Sequence, residues 1–262
     1  MRLLSWDELG SGGALVEPTA ATIGVFDGLH IGHRQLVKKV LRGDGLASAV
    51  LTFRENPKRI LAPHAHQGEL STLAQRLELI ESMGVDLCVL IDFSGEFSKL
   101  PGRQFLSMLC AGGMLRYLAV GADFRCGHRL DTGAEDIREF CSARSIEVEV
   151  LEAVLWAGHP VSSSRIRRAI LEGRLEEAGL MLGRPYEIDL RGASSAAAGR
   201  FLPAPGQASP PPGVYEAAIA IEACREPAST AAAELGGDGT WTVGSAAGST
   251  PRGLRLLRRY QE

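Results

Sequence analysis

Thr22-Ile23-Gly24-Val25-Phe26-Asp27-Gly28-Leu29-His30-Ile31-Gly32-His33 decides how this chain is read. An apolar run breaks on Asp27-Gly28. It then delivers two histidines to the start of a segment whose apolar positions Leu36, Val37, Val40 and Leu41 repeat at helical spacing. The pattern predicts a strand, a tight turn and a helix start. The first N–H groups of a helix lack partners and its dipole favours negative charge there, so this mouth is an anion site that both imidazoles would face.

Working outward, Gly43-Asp44-Gly45 ends the helix and residues 47–53 read as a second buried strand. That strand runs into Arg54-Glu55-Asn56-Pro57-Lys58-Arg59, three cations just past its carboxyl end, where ligands bind in open parallel sheets. A solvated charge cluster is the alternative. Thr72-Leu73-Ala74-Gln75 matches a capping box and opens a helix with Leu73, Leu77 and Ile80 on one face, closed by Gly84. Residues 85–91 are nearly continuous apolar sequence, as a parallel strand covered on both faces requires. Pro101 suits the first turn of a helix holding Phe105, Leu106, Met108 and Leu109.

A fourth strand over 116–121 ends in Gly121-Ala122-Asp123-Phe124-Arg125-Cys126-Gly127, whose glycines allow close backbone approach and whose Asp123 and Arg125 offer both charge signs. Residues 133–144 read as a helix and 146–151 as a fifth strand. Next come Ser162-Ser163-Ser164-Arg165-Ile166-Arg167-Arg168 and a helix over 175–182 that ends at Gly183-Arg184-Pro185. Serines cap a helix start, but arginines in a first turn oppose the dipole unless they meet an anion. The alternative is that Ser162 or Ser163 merely caps while Arg167 and Arg168 lie on a wet face. Alternation of strand and helix over 22–182 predicts an α/β, Rossmann-like, doubly wound parallel sheet.

From Arg191 the composition turns to Ala, Ser, Gly and Pro, and residues 192–198 and 208–212 read as linker or loop. A small, truncated β module follows, with Tyr215, Ala217, Ile219 and Ile221 on one strand face and partners over 240–243 and 254–257. Residues 228–239 offer little to pack.

At 262 residues and 45% hydrophobic, the chain can bury one large domain plus an appendage. A net charge of -3 gives no global reason to expect nucleic acid or a membrane surface as partner. Acidic residues arrive before any signal-length apolar run, and no stretch approaches the roughly 20 apolar residues of a membrane span. These features predict a cytoplasmic enzyme and leave the oligomeric state open. The 5 cysteines, Cys88, Cys110, Cys126, Cys141 and Cys224, are odd in number and lack C-x-x-C spacing, which argues against a disulfide framework or a structural zinc site. Cys126, beside Arg125 and His128, is either a reactive thiol or simple packing.

In order, Gly24 to His33, Leu51-Thr52-Phe53 with Pro57, Val120 to Arg125, Ser162 to Arg167 and Leu182-Gly183-Arg184-Pro185-Tyr186 form a pattern. It resembles the bacterial bifunctional riboflavin kinase/FMN adenylyltransferase (FAD synthetase) family of the HxGH nucleotidylyltransferase superfamily. The resemblance implies transfer of AMP from ATP to FMN, giving FAD and pyrophosphate, with Mg²⁺ accompanying ATP. It implies catalytic roles for His30, His33, Ser163, Ser164 and Arg167, and ATP contacts from Gly24, Phe26, Gly28, Gly32 and Arg165. Flavin or nucleotide contacts would come from Phe53, Asn56, Pro57, Asp123, Phe124 and Arg125. No protein-held metal is expected.

Val25, Ser164, Cys126 and Asn56 depart from the family's usual Asn, Thr, Phe and His or Arg. The implied division is an adenylyltransferase-like domain over 1–186 and a degenerate, partly disordered kinase-like β region over 187–262. There Pro203-Ala204-Pro205-Gly206-Gln207 stands where the kinase's Gly-Phe-Pro-Thr-Ala-Asn should be, so riboflavin kinase activity is not expected. A related transferase on another phosphorylated acceptor and a non-catalytic flavin or nucleotide binder stay open beside this reading.

Overall fold

The computed structural model describes residues 1–10, 17–41, 44–111, 114–197, 199–221, 229–244 and 251–260. Expectations placed on Gly43, Ala198, Cys224 and Ala228 fall outside them. The chain forms two compact units, Met1–His66 with Arg76–Pro160, and Gln67–Gln75 with Val161–Glu262.

Beside two short two-stranded hairpins, the described residues of the first unit form the strands β1 (Arg2–Ser5), β2 (Thr19–Ile23), β3 (Ala47–Phe53), β4 (Leu87–Ile91), β5 (Leu115–Gly121) and β6 (Glu147–Leu151). They form one sheet in the order β1-β4-β3-β2-β5-β6, and every pair is parallel. Its helices are α1 (Trp6–Gly10), α2 (Ile31–Val40), α3 (Pro57–Leu61), α4 (Leu73–Ser82, beginning in the second unit's segment), α5 (Gly102–Cys110) and α6 (Ala134–Ser142). Parallel neighbours need crossovers, and helices cover the sheet from both faces. Trp6, Leu106, Leu109, Ile137 and Phe140 pack with Leu51, Val89, Leu118 and Val120 in one cluster, while Val40 of α2 packs with Ala20, Tyr117 and Ala119 in another. The doubly wound expectation therefore holds. The sheet has one strand beyond those expected: β1 is a short edge strand at the chain start, outside the alternating region.

Strand order reverses between β2 and β5, so their carboxyl ends diverge around a crevice, the usual ligand position in such sheets. Residues 24–33 leave β2 at that switch point. The loop from Gly121 leaves β5 beside it, and Arg54–Pro57 leaves β3 on the other side of β2.

In the second unit, α7 (Ser163–Leu171) and α8 (Leu175–Leu182) precede β7 (Tyr186–Asp189), β8 (Ser194–Ala197), β9 (Arg200–Leu202), β10 (Gly213–Ile221), β11 (Ser229–Leu235), β12 (Trp241–Val243) and β13 (Pro251–Arg259). These strands form an antiparallel sheet ordered β7-β13-β10-β11-β12-β9-β8. Two expectations are corrected here. Residues 194–197, read as linker, form β8, and 229–235, read as having little to pack, form a strand paired on both edges. Small residues suit that position because buried Tyr215 and Trp241, 5.6 Å apart, fill the space a bulkier strand would need.

The capping box appears as read, with Thr72 N donating to Gln75 Oε1 at 3.0 Å and Gln75 N to Thr72 Oγ1 at 3.2 Å. Thr72 Oγ1 also donates to the buried Asp189 carboxylate at 2.6 Å. Gln207 donates to the Glu187 carbonyl at 2.7 Å and accepts from Asp189 N at 3.0 Å.

Candidate active site

The turn after β2 is a run of unusual backbone. Phe26 sits in the left-handed region at φ 52°, ψ 28°, Gly28 at φ 74° and Leu29 at φ 38°. Bulky residues at positive φ cost on the order of 1–3 kcal/mol each and persist only where surroundings impose them. Here the surroundings are visible. Phe26 is fully buried and presents its ring to His33 edge-on, with centroids 5.2 Å apart. A Cβ at Gly24 would come within 3.1 Å of that ring, so glycine is what lets the chain cross above it. Phe26 therefore supports the loop from beneath, and any nucleotide contact it makes runs through its backbone.

His30 caps α2. Its Nδ1 accepts from His33 N at 3.3 Å, which places the ring proton on Nε2. The two imidazoles stack with centroids 3.6 Å apart and planes 17° from parallel. A Cβ at Gly32 would lie 3.2 Å from His30 Cε1, so glycine here keeps the His30 ring folded against the helix mouth. Burial, then the charges of His30 and Arg76, hold the His33 imidazole well below its ordinary range, so it is neutral at pH 7. Its buried Nδ1 has no hydrogen-bond partner within the protein. Stacked imidazoles at a helix start, with the His33 ring neutral, suit a polyanion.

Around this loop the structure gathers part of the expected set. Phe53 at the end of β3 is half-buried and packs edge-on to Phe93 at 5.7 Å. Asn56 is buried, with Oδ1 accepting from Lys58 N at 3.1 Å, so its side chain caps α3, and Pro57 occupies the first helical position. Beyond β5, Asp123 and Arg125 are exposed, Phe124 packs against the core, and Arg125 Nε donates to Leu130 O at 3.0 Å. The serine–arginine group lies on α7 in the second unit. Ser162 is the cap, its Oγ accepting from Arg165 N at 3.3 Å, and Ser163 and Ser164 follow in the first turn. Arg165 pairs with Glu177 at 3.8 Å. Arg167 is buried and its Nε donates to Gly68 O at 2.6 Å, so the wet-face alternative fails for it, whereas Arg168 is exposed.

Two residues were missed. Thr52, fully buried on β3, donates to Val25 O at 3.0 Å, and Arg76, buried on α4, donates to the same oxygen at 2.8 Å. A signal for Arg76 was present: position 76 lies three after Leu73 and four before Ile80, so a cation occupies the helix's apolar stripe.

Cys126 resolves to packing. Burial, then Asp131 and Asp136, push its thiol up to about 12, so the nucleophilic thiolate is scarce at neutral pH. In the native protein at pH 8, iodoacetamide is expected to leave Cys126 unmodified in peptide mass spectra. Alkylation at the rate of an exposed thiol would contradict that environment.

A histidine-bearing helix mouth thus stands at the switch point of a parallel α/β sheet. The profile of the FAD synthetase family matches residues 14–165, and the chain belongs to that family. It is 33% identical over 168 residues to a bifunctional riboflavin kinase/FMN adenylyltransferase of Listeria monocytogenes, covering 63% of this chain and 53% of that protein. To the protein of the same description from Escherichia coli (strain K12) it is 28% identical over 210 residues, covering 76% and 67%. The chain spans about half the length of the first curated relatives it matches. A crystal structure titled as a macrolide-efflux protein from Streptococcus pneumoniae shares the fold, with a TM-score of 0.83 at 23% identity over 100% of this chain and 91% of that one.

Proposed function

We propose that the chain transfers the adenylyl group of ATP to FMN, giving FAD and pyrophosphate. An FMN phosphate oxygen attacks the α-phosphorus of ATP; the new P–O bond forms as the bond to the pyrophosphate oxygen breaks, and pyrophosphate leaves with the electron pair. No protein nucleophile is needed, so the work is positioning and charge neutralisation. The observation that carries the proposal is the stacked His30–His33 pair at the start of α2, seated at the switch point.

His30 and His33 donate to the triphosphate, and Gly24, Gly28 and Gly32 let the backbone approach it. Ser163, Ser164 and Arg165 take the β- and γ-phosphates, with Arg167 adding charge while its Nε holds Gly68; these roles rest on the motif. Phe53, Asn56, Pro57 and the loop from Asp123 to Arg125 frame the flavin and adenine. Among the described residues no group of three or more His, Cys, Asp or Glu is placed to hold a metal ion. Magnesium would enter as the ATP complex, held by phosphate oxygens and water.

The proposal assigns adenylyl transfer to residues 1–186 and no kinase chemistry to 187–262. Gln207, in the stretch that stands for the kinase's binding motif, ties β7 in place instead. No helix among the described residues is long and apolar enough to cross a membrane, and a cytoplasmic setting with small-molecule partners belongs to the same proposal. Purified protein with FMN, ATP and Mg²⁺ is expected to release FAD and pyrophosphate in equal amounts, and with riboflavin and ATP to yield no FMN. Absence of both products at every flavin concentration would overturn the transferase reading. Pyrophosphate release with a different phosphorylated acceptor, but not with FMN, would reassign the acceptor.

A further inference from the structure

We propose that Arg76 is a positioning residue for adenylyl transfer, a buried cross-tie that fixes the phosphate loop after β2 to the loop after β3. The kinetic part of this inference rests on the function proposed above. Arg76 is 1% exposed, and its guanidinium fork spans two carbonyls, with Nη1 to Val25 O at 2.8 Å and Nη2 to Arg54 O at 3.1 Å. Both carbonyls sit where a strand gives way to a ligand loop. Val25 immediately precedes the left-handed Phe26, and Arg54 immediately precedes the Glu55–Asn56 entry to α3.

The two anchored peptides are held from other directions as well. Val25 O also receives the Thr52 hydroxyl at 3.0 Å, and Arg54 N donates to Ile91 O at 2.9 Å. A charge this deeply buried is costly, and the two carbonyl bonds offset part of that cost, so removal of the charge or of its partners is felt strongly. An apolar residue at this point of the helical stripe would pack at less cost. The cation is therefore explained by what it holds: two turned-in carbonyls that leave Phe26 at positive φ and the His30–His33 pair beneath an incoming phosphate.

The fork also sets the substitution logic. Lysine brings the same charge but a single compact ammonium, which cannot span both carbonyls in one plane. Methionine brings neither charge nor donors. His30 and Arg76 are the groups whose charge acts on His33, so loss of the cation relieves the repulsion that disfavours protonated His33.

In the full chain, Arg76→Lys is expected to keep the wild-type circular dichroism and the wild-type midpoint of His33 titration followed by NMR. Its kcat should fall on the order of 10²-fold, with the KM for FMN changed only a few-fold. Arg76→Met should lose at least as much kcat and move the His33 midpoint to higher pH. A fully active Arg76→Lys would overturn the proposal. So would losses in both variants that merely track the unfolded fraction while the His33 midpoint stays put.

If neither variant folds, the native chain decides by itself. Guanidinium protons held by two buried carbonyls should exchange with solvent far more slowly than those of exposed arginines such as Arg168, and equal rates would overturn the cross-tie. If the wild-type protein makes no FAD, the activity reading falls. The titration and exchange measurements still judge Arg76.

Discussion

Replacing His30 or His33 by alanine is expected to lower turnover about 10²-fold or more while FMN affinity changes only a few-fold, because donors aimed at developing phosphate charge act mainly in the transition state. The two residues carry different side effects. His30→Ala also removes the acceptor that caps α2, a loss of about 1 kcal/mol, so part of its phenotype would be structural. His30→Asn separates the two contributions: an Asn side chain caps well, so thermal stability should return while turnover stays low. His33→Ala has no cap to lose. Single-turnover kinetics with saturating ATP, beside FMN binding by fluorescence quenching, distinguish the cases. A loss confined to FMN affinity would move both histidines from the triphosphate to the acceptor.

The second large effect is on stability. Phe26→Ala is expected to cost about 3–5 kcal/mol, the usual range for removing a buried aromatic ring, read as a fall in the urea midpoint at unchanged slope. The ring is fully buried, supports the crossing at Gly24 and meets the edge of His33. Turnover of the folded fraction should therefore fall as well. Phe26→Leu, which keeps much of the apolar volume, should recover most of the stability. A cost under about 1 kcal/mol for the alanine variant would mean that the left-handed turn is held from above, by its glycines and the helix cap, and not from beneath.

What depends on local chemistry is legible in the sequence. The capping box at Thr72–Gln75, the helix over Leu175–Leu182 and the strands leading into Gly24 and Gly121 appear where periodicity and punctuation put them. What neighbours decide is not legible there. Alanine-rich β11 has little intrinsic preference for a strand, and its conformation comes from pairing with β10 and β12 around Tyr215 and Trp241. The histidine loop was legible because its residue types are rare in combination. Its supports were not: Thr52 looks like any strand threonine, and Arg76 looks like a solvated helix cation until its place on the apolar stripe is weighed. Asn56 shows the converse, a polar residue read as a ligand contact whose side chain also serves as a helix cap.

The anchoring of the histidine loop at the main-chain oxygen of Val25 has an evolutionary consequence. Every amino acid carries that oxygen, so the grip of Thr52 and Arg76 does not depend on which side chain stands at position 25. The valine in place of the family's usual asparagine changes the half-exposed side chain and leaves the frame beneath it standing. Drift at this codon can change the side chain the loop presents while the turn it stands on is inherited intact.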